Sequence, residues 1–229
     1  MNAESGEGLV SDRQAGGLGD SAYREMKERL IRGVYEPGYK MTVRAVAEDL
    51  GVSSTPARDA INRLTSDGAL VYAGPKTVIV PVLNESDLKE ITLVRLALEG
   101  LAAERAAAEG SSQIVEKLRE IQEKINSALE EKDYTAALRH NKDFHFTVYC
   151  QAHLPHLITM IESLWLRIGP SLYNLYPEFA EGKQGVRNHE MAMEALGERD
   201  SAALKAAFES DIRDGYRCLL RAARGKLSD

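Results

Sequence analysis

Apolar residues in the stretch TVRAVAEDLGVSSTPARDAIN, Thr42 to Asn62, recur at helical spacing in two short blocks separated by a break. Val43, Val46, Ala47 and Leu50 form the first block. Gly51-Val52-Ser53 supplies a turn, because glycine takes positive φ freely after a helix end. Thr55-Pro56 reads as an N-cap followed by proline at the first helical position. Ala57, Ala60, Ile61 and Leu64 then turn inward and leave Arg58, Asn62 and Arg63 outside. The pattern predicts a helix-turn-helix, whose second helix would lie in the major groove of double-stranded DNA.

The flanks extend this unit. Tyr23, Met26, Leu30 and Ile31 make the apolar face of a preceding helix that ends near Gly33, and Tyr35-Glu36-Pro37-Gly38 makes a turn. Ala69 to Ala73 and Val78 to Leu83 are β-rich runs around Gly74-Pro75-Lys76, which predicts a hairpin wing. Residues 21–83 are therefore expected to form a winged helix-turn-helix domain. Residues 1–20 lack apolar periodicity and read as a disordered tail.

From residue 84 to residue 229 strand signals nearly vanish. Asn84 can cap a helix to about Gly110, Ser111 or Ser112 one to about Lys132, and Asp133 one to about Cys150. Pro155 opens a fourth that stops near Gly169-Pro170; after an irregular SLYNLYPEF stretch, two more run from Gly185 to Gly197 and Ser201 to Arg224. The predicted fold is mainly α: a winged helix-turn-helix followed by an all-helical bundle of about six helices.

Four of these helices interrupt an apolar stripe with a polar residue. Arg95 shares a face with Leu88, Ile91, Leu98 and Ala102; Asn141 and His145 lie between Leu138 and Val148. His189 has the spacing of Val186, Met193 and Leu196, and Asp211 lies among Leu204, Phe208, Gly215 and Leu219. Buried polar groups are costly unless paired, hydrogen-bonded or metal-bound, so four such interruptions point to a shared polar cavity. Asn141 and His145 project from one helix face, and His189 and Asp211 would converge from two others, as in metal sites built within bundles. The same four residues would equally suit a metal-free network around an Asp–His pair.

The motif G-x-Y-x-P-G from Gly33 to Gly38 and the run LGVSSTPARDAINRLTSDGALV resemble the GntR family of bacterial transcription regulators. The helical remainder resembles the FadR-type branch of that family, whose effector domain is called FCD. The resemblance implies a homodimer on a palindromic operator, with Arg44 and Arg58 where family arginines reach bases and Thr55 where a phosphate is held. Ser54 stands in place of a usual second arginine, and Thr77 in place of a usual wing-tip glycine. Arginine binds guanine bidentately, which makes Arg58 the candidate base reader, with Asn62 facing outward beside it. Ser53, Ser54, Thr55 and Lys76 suit positioning on phosphates.

In the metal-binding subset of FCD domains an Asp, sometimes Asn, precedes a His by four residues, and two histidines follow later. Phe144-His145 and Asn188-His189-Glu190 resemble that pattern, with Asn141 for the usual Asp and Asp211 where the last His is expected. The implied cofactor is a divalent metal ion held by Asn141, His145, His189 and Asp211; imidazole and carboxylate ligands suit zinc, nickel or manganese. Arg95 and Glu99 resemble the family's Arg-x-x-x-Glu, which implies a small organic-acid effector gripped by Arg95, with Tyr149 lining the same cavity. An internal Arg95–Glu99 ion pair is the alternative. His140, His153 and His156 read as ordinary surface or loop residues.

Charge refines the picture. The 229-residue chain carries a formal −6, yet residues 20–83 hold nine Lys/Arg against eight Asp/Glu, while residues 84–229 hold 19 against 24. Acidity belongs to the helical part, and DNA binding would lean on specific contacts and dimerisation rather than bulk charge. Two cysteines without metal-type spacing, and no apolar run of about 18 residues, predict a reduced cytoplasmic protein without a membrane span. The expected function is a ligand-responsive transcription regulator, a repressor in the commoner family behaviour, and not an enzyme. The rival is a metal-dependent hydrolase or lyase using the cavity, which would need a positioned general base that no further carboxylate supplies.

Overall fold

The structure, a computed structural model, describes residues 17–176 and 178–225. Most of the expected tail, residues 1–16, lies outside the described residues. Its last part does not: α1 (Leu18–Ile31) begins inside it. Asp20 there reaches across to Arg63 (2.5 Å), a long-range ion pair invisible to local periodicity.

After α1 come β1 (Lys40–Thr42), α2 (Val43–Leu50), α3 (Ser54–Ser66), β2 (Val71–Gly74) and β3 (Thr77–Ile79). The strands form one antiparallel sheet in the order β1-β3-β2. Sequence pattern does not announce β1, because three residues with only Met41 inward carry too little alternation to register. The wing strands are shorter than the predicted runs: Ala69 and Leu70 turn into the core, and Val80 is buried as the chain leaves the sheet. Thr42 caps α2 by accepting from the Ala45 amide (3.2 Å), and Gly51 closes it in the left-handed region at φ 64°. Ser53, not Thr55, occupies the N-cap of α3. Pro56 falls in the first turn, where amides have no intrahelical acceptor and a missing N–H costs nothing. Ala57, Ala60, Ile61 and Leu64 are buried against Met26 and Leu30 of α1, as the spacing predicts.

The second part holds α4 (Glu85–Ala106), α5 (Ser112–Glu130), α6 (Tyr134–Tyr149), α7 (Pro155–Leu172), α8 (Glu178–Gly182), α9 (Gln184–Glu198) and α10 (Ser201–Gly225). Among the described residues seven helices thus stand where about six were expected; the addition, α8, is five residues long and lies in the segment read as irregular. Asn84 and Asp87 make a reciprocal capping box for α4, while Ser111 and Asp133 cap α5 and α6. Helix α7 runs through Pro170 to Leu172, past the predicted stop. A proline so near the end removes a single backbone bond, and burial of Trp165, Leu166 and Ile168 holds the helix in place. α4 packs mainly on α10, α10 on α9, and α5 on α6, with Phe144, Trp165 and Phe208 in the interior.

The two parts meet where α1 lies on α7. A Cβ at Gly169 would stand 2.7 Å from Ile31 Cα and 2.8 Å from the carbonyl oxygens of Ile31 and Leu30, so only glycine lets the backbones touch. Around this contact Lys27 pairs with Glu162 (2.8 Å), Lys142 with Glu28 (2.7 Å), and Arg167 Nε donates to the Asp67 carbonyl (3.0 Å). Gly169→Ala is expected to cost about 1–3 kcal/mol, the range for forced overpacking, since backbone cannot yield as a side chain does. Urea unfolding followed by tryptophan fluorescence measures it; an unchanged midpoint would refute the contact.

Candidate functional site

Two surfaces carry chemistry. On the first, Ser53, Ser54 and Thr55 are exposed at the start of α3, and Arg58 and Asn62 are exposed along its outer face. The β2–β3 hairpin brings Lys76 alongside, so that Arg58, Asn62, Tyr72, Pro75 and Lys76 line one groove between helix and wing. Tyr72 donates its hydroxyl to Asn62 Oδ1 (2.6 Å) across that groove. Arg44 stands outside it on α2, its side chain 88% exposed and paired with Glu48 (2.8 Å). Arg63 faces the other way: its guanidinium lies 4.0 Å from the ring centre of Tyr23 and pairs with Asp20.

The second site is inside the helical part. Thr92 and Arg95 of α4, Asn141 and His145 of α6, Trp165 of α7 and Asp211 of α10 line one small cavity. Glu99, with no solvent exposure, receives Arg95 twice (Nε 2.6 Å, Nη2 3.2 Å), the Tyr149 hydroxyl (2.7 Å) and Trp165 Nε1 (3.1 Å). The internal Arg95–Glu99 pair is therefore real, and it occupies only two of the arginine's three nitrogens. Nη1 has no protein acceptor among the described residues, and neither has the amide of half-buried Asn141. Tyr149 does not line the cavity; it sits behind His145 and links it to Glu99.

These bonds settle where the imidazole protons lie. Tyr149 gives its hydrogen to Glu99, so its oxygen accepts from His145 Nδ1 (2.9 Å). Gln122 Nε2 donates to Asn126 Oδ1 (2.9 Å), which turns its carbonyl toward His189 Nδ1 (2.6 Å); a carbonyl only accepts, so Nδ1 carries the proton. Both Nε2 atoms are left bare, 3.3 Å apart, with Asp211 Oδ2 3.4 Å from that of His145. Ligand atoms of His145, His189 and Asp211 all lie within 4.8 Å of one another. Three acceptors facing one another repel unless a cation, or an added proton on His145 Nε2, sits among them. Burial pushes His189 down to about 3 and keeps it neutral, the form a metal requires. Burial alone would raise the Asp211 carboxyl; a proton on His145 facing it, with Asn188 donating as well, outweighs burial and holds it below its ordinary value.

Sequence reading missed Gln122, Trp165 and Asn188. Gln122 interrupts the Leu118, Ile121 and Ile125 stripe of α5, the same signal that marked the other helices. Asn188 donates to Asp211 Oδ1 (3.4 Å) and Asp214 Oδ2 (3.1 Å), orienting the carboxylate.

Comparison with known proteins now bears on both surfaces. Residues 18–79 match the family described as "Bacterial regulatory proteins, gntR family", and residues 90–214, more than half of the chain, match the FCD domain. The chain belongs to the GntR family of transcription regulators. The HTH-type transcriptional regulator McbR of Escherichia coli is 34% identical over 178 residues, 77% of this chain and 80% of McbR. A solved E. coli McbR structure superposes with a TM-score of 0.83 at 29% identity, covering 90% of this chain and 98% of that one. The gluconate operon transcriptional repressor of Bacillus subtilis is 25% identical over 83% of this chain and 80% of its own length. This GntR-family chain is thus a DNA-binding regulator with a small-molecule effector domain, and its relatives are regulators rather than enzymes, which removes the hydrolase or lyase reading. No helix among the described residues is long and apolar enough to cross a membrane.

Two outcomes are expected. Arg58→Ala should weaken binding to a selected operator by about 1–3 kcal/mol and relax its sequence preference, whereas Lys76→Ala should weaken all DNA and flatten the salt dependence by about one phosphate. Fluorescence anisotropy titrations at several salt concentrations separate the two; identical behaviour of both variants would contradict the assignment. The second concerns pH in chelator-treated protein. An unfolded histidine gains its proton near 6.5 and folded His189 only at about 3, so between them the unfolded chain binds more protons and acid destabilises the fold. Stability should fall by up to about 1.4 kcal/mol per pH unit through this window, with the slope reduced in His189→Gln. Equal slopes in urea titrations of the two proteins would show that His189 does not titrate this way.

Proposed function

We propose that this regulator is a homodimeric repressor whose helical domain binds a divalent metal ion and, beside it, a small carboxylic acid that relieves repression. The carrying observation is the pair of bare Nε2 atoms on His145 and His189 beside the Asp211 carboxylate. Hydrogen bonds from outside the cluster fix both tautomers in the ligating form, and the Phe144 ring stacks on His189 at 3.9 Å. Asn141, His145, His189 and Asp211 would hold the ion, which supplies a charge that an anionic effector can complete. Arg95 adds a fixed guanidinium with one nitrogen uncommitted, suited to a carboxylate.

Repression accords with the relative named for the gluconate operon. Dimerisation accords with operator reading by paired half-sites and with the apolar stripe of Leu93, Val94 and Leu101 that α4 leaves exposed. The effector would act by favouring one arrangement of the helical domains over another, and hence one spacing of the two α3 helices. On this reading the chain divides into residues 21–83 for DNA and 84–229 for effector and dimerisation.

Elemental analysis of tag-free protein purified without chelator tests the metal. About one ion per chain is expected in wild type and none in Asp211→Ala. Absence of metal after supplementation with zinc, nickel and manganese would reduce the cluster to a proton-bridged network.

A further inference from the structure

We propose that Tyr72, on the wing, is a positioning residue that sets which base Asn62 reads; the inference rests on the assignment of the α3 face to DNA. Its origin is a register feature of the sheet. Tyr72 pairs with Val78 and Gly74 with Thr77, so Ala73 is an extra residue on β2. Cross-strand partners share a face, and Val78 is buried and lines the same groove as Ile61 and Asn62 of α3, so Tyr72 is directed at the recognition helix.

Tyr72 is 57% exposed, yet its hydroxyl is committed to Asn62 Oδ1 at 2.6 Å, one of the shorter side-chain bonds of the fold. Asn62 is otherwise free to rotate at the end of an exposed side chain beside Arg58 and Lys76. The bond has two effects. It holds the carboxamide in one orientation, and it places the phenol against the oxygen while leaving Nδ2 turned away with both hydrogens available.

Asparagine reads adenine with both ends of its amide, Nδ2 donating to N7 and Oδ1 accepting from N6. Tyr72 takes one of the oxygen's two lone pairs and fixes the amide plane, so the paired contact that adenine needs is disfavoured and the Nδ2 hydrogens lead. The partner of Asn62 is then a base edge that offers acceptors in the major groove: O6 and N7 of guanine, or O4 of thymine. Tyr72 thereby converts an adenine-type reader into an acceptor-type reader without touching the base itself.

In vitro selection from a randomised duplex library, with full-length wild type, Tyr72→Phe and Asn62→Ala, tests this. Phenylalanine keeps the ring and removes only the hydroxyl. Wild type should prefer guanine or thymine at one position, Asn62→Ala should lose preference there, and Tyr72→Phe should shift it toward adenine by about tenfold. Preference elsewhere, including the Arg58 position, should not move, which a general loosening of the wing would not reproduce. Identical base preferences for Tyr72→Phe and wild type would overturn the proposal, as would Asn62→Ala with its preference intact. Failure of wild type to enrich any sequence would instead sink the assignment of the DNA face, and this inference with it.

Discussion

A carboxylate without solvent, Glu99, organises the helical domain. Burying such a charge costs several kcal/mol unless every lone pair is met, and here four donor bonds from three helices meet them. The arrangement ties α4 to α6 through Tyr149 and to α7 through Trp165. It also acts at a distance: Tyr149, having given its hydrogen to Glu99, can only accept from His145, and so leaves the far nitrogen of that ring bare. Gln122 performs the same service for His189 from α5. The chemistry of the cluster is therefore set by residues that never face it.

The division of labour on the DNA side is similar. Arg58 and Asn62 project from α3, but what surrounds them comes from elsewhere: the hairpin supplies Lys76, and a one-residue bulge supplies the angle of Tyr72. Helix and wing are thus parts of one reading surface rather than two adjacent ones.

Much of this was legible in the chain. Helix boundaries followed Asn84, Ser111 and Asp133 because capping is a local property of one residue and the three amides after it. His145, His189 and Asp211 could be named from polar interruptions of apolar stripes, since such interruptions are costly wherever they fall. What stayed hidden depends on contacts between distant segments. β1 exists only through its pairing with β3, and the first turn of α1 is anchored by Arg63, more than forty residues away. Gln122 carried the same signal within its stripe and was passed over, because a single glutamine reads as a solvated position until the partner helix is seen. Tyr149 was placed in the cavity by its spacing from His145, which gives the face of a helix but not the depth at which a hydroxyl ends.

The glycine at position 169 limits how freely such a protein can be recombined. At this one point backbone lies against backbone with no side chain between to absorb a shift, so a displacement of α7 there presses directly on α1. The junction is therefore not a neutral seam at which reading heads can be exchanged. A hybrid joining this DNA-binding domain to a foreign sensor would inherit its signal only if the new partner also offered a bare helix at that point.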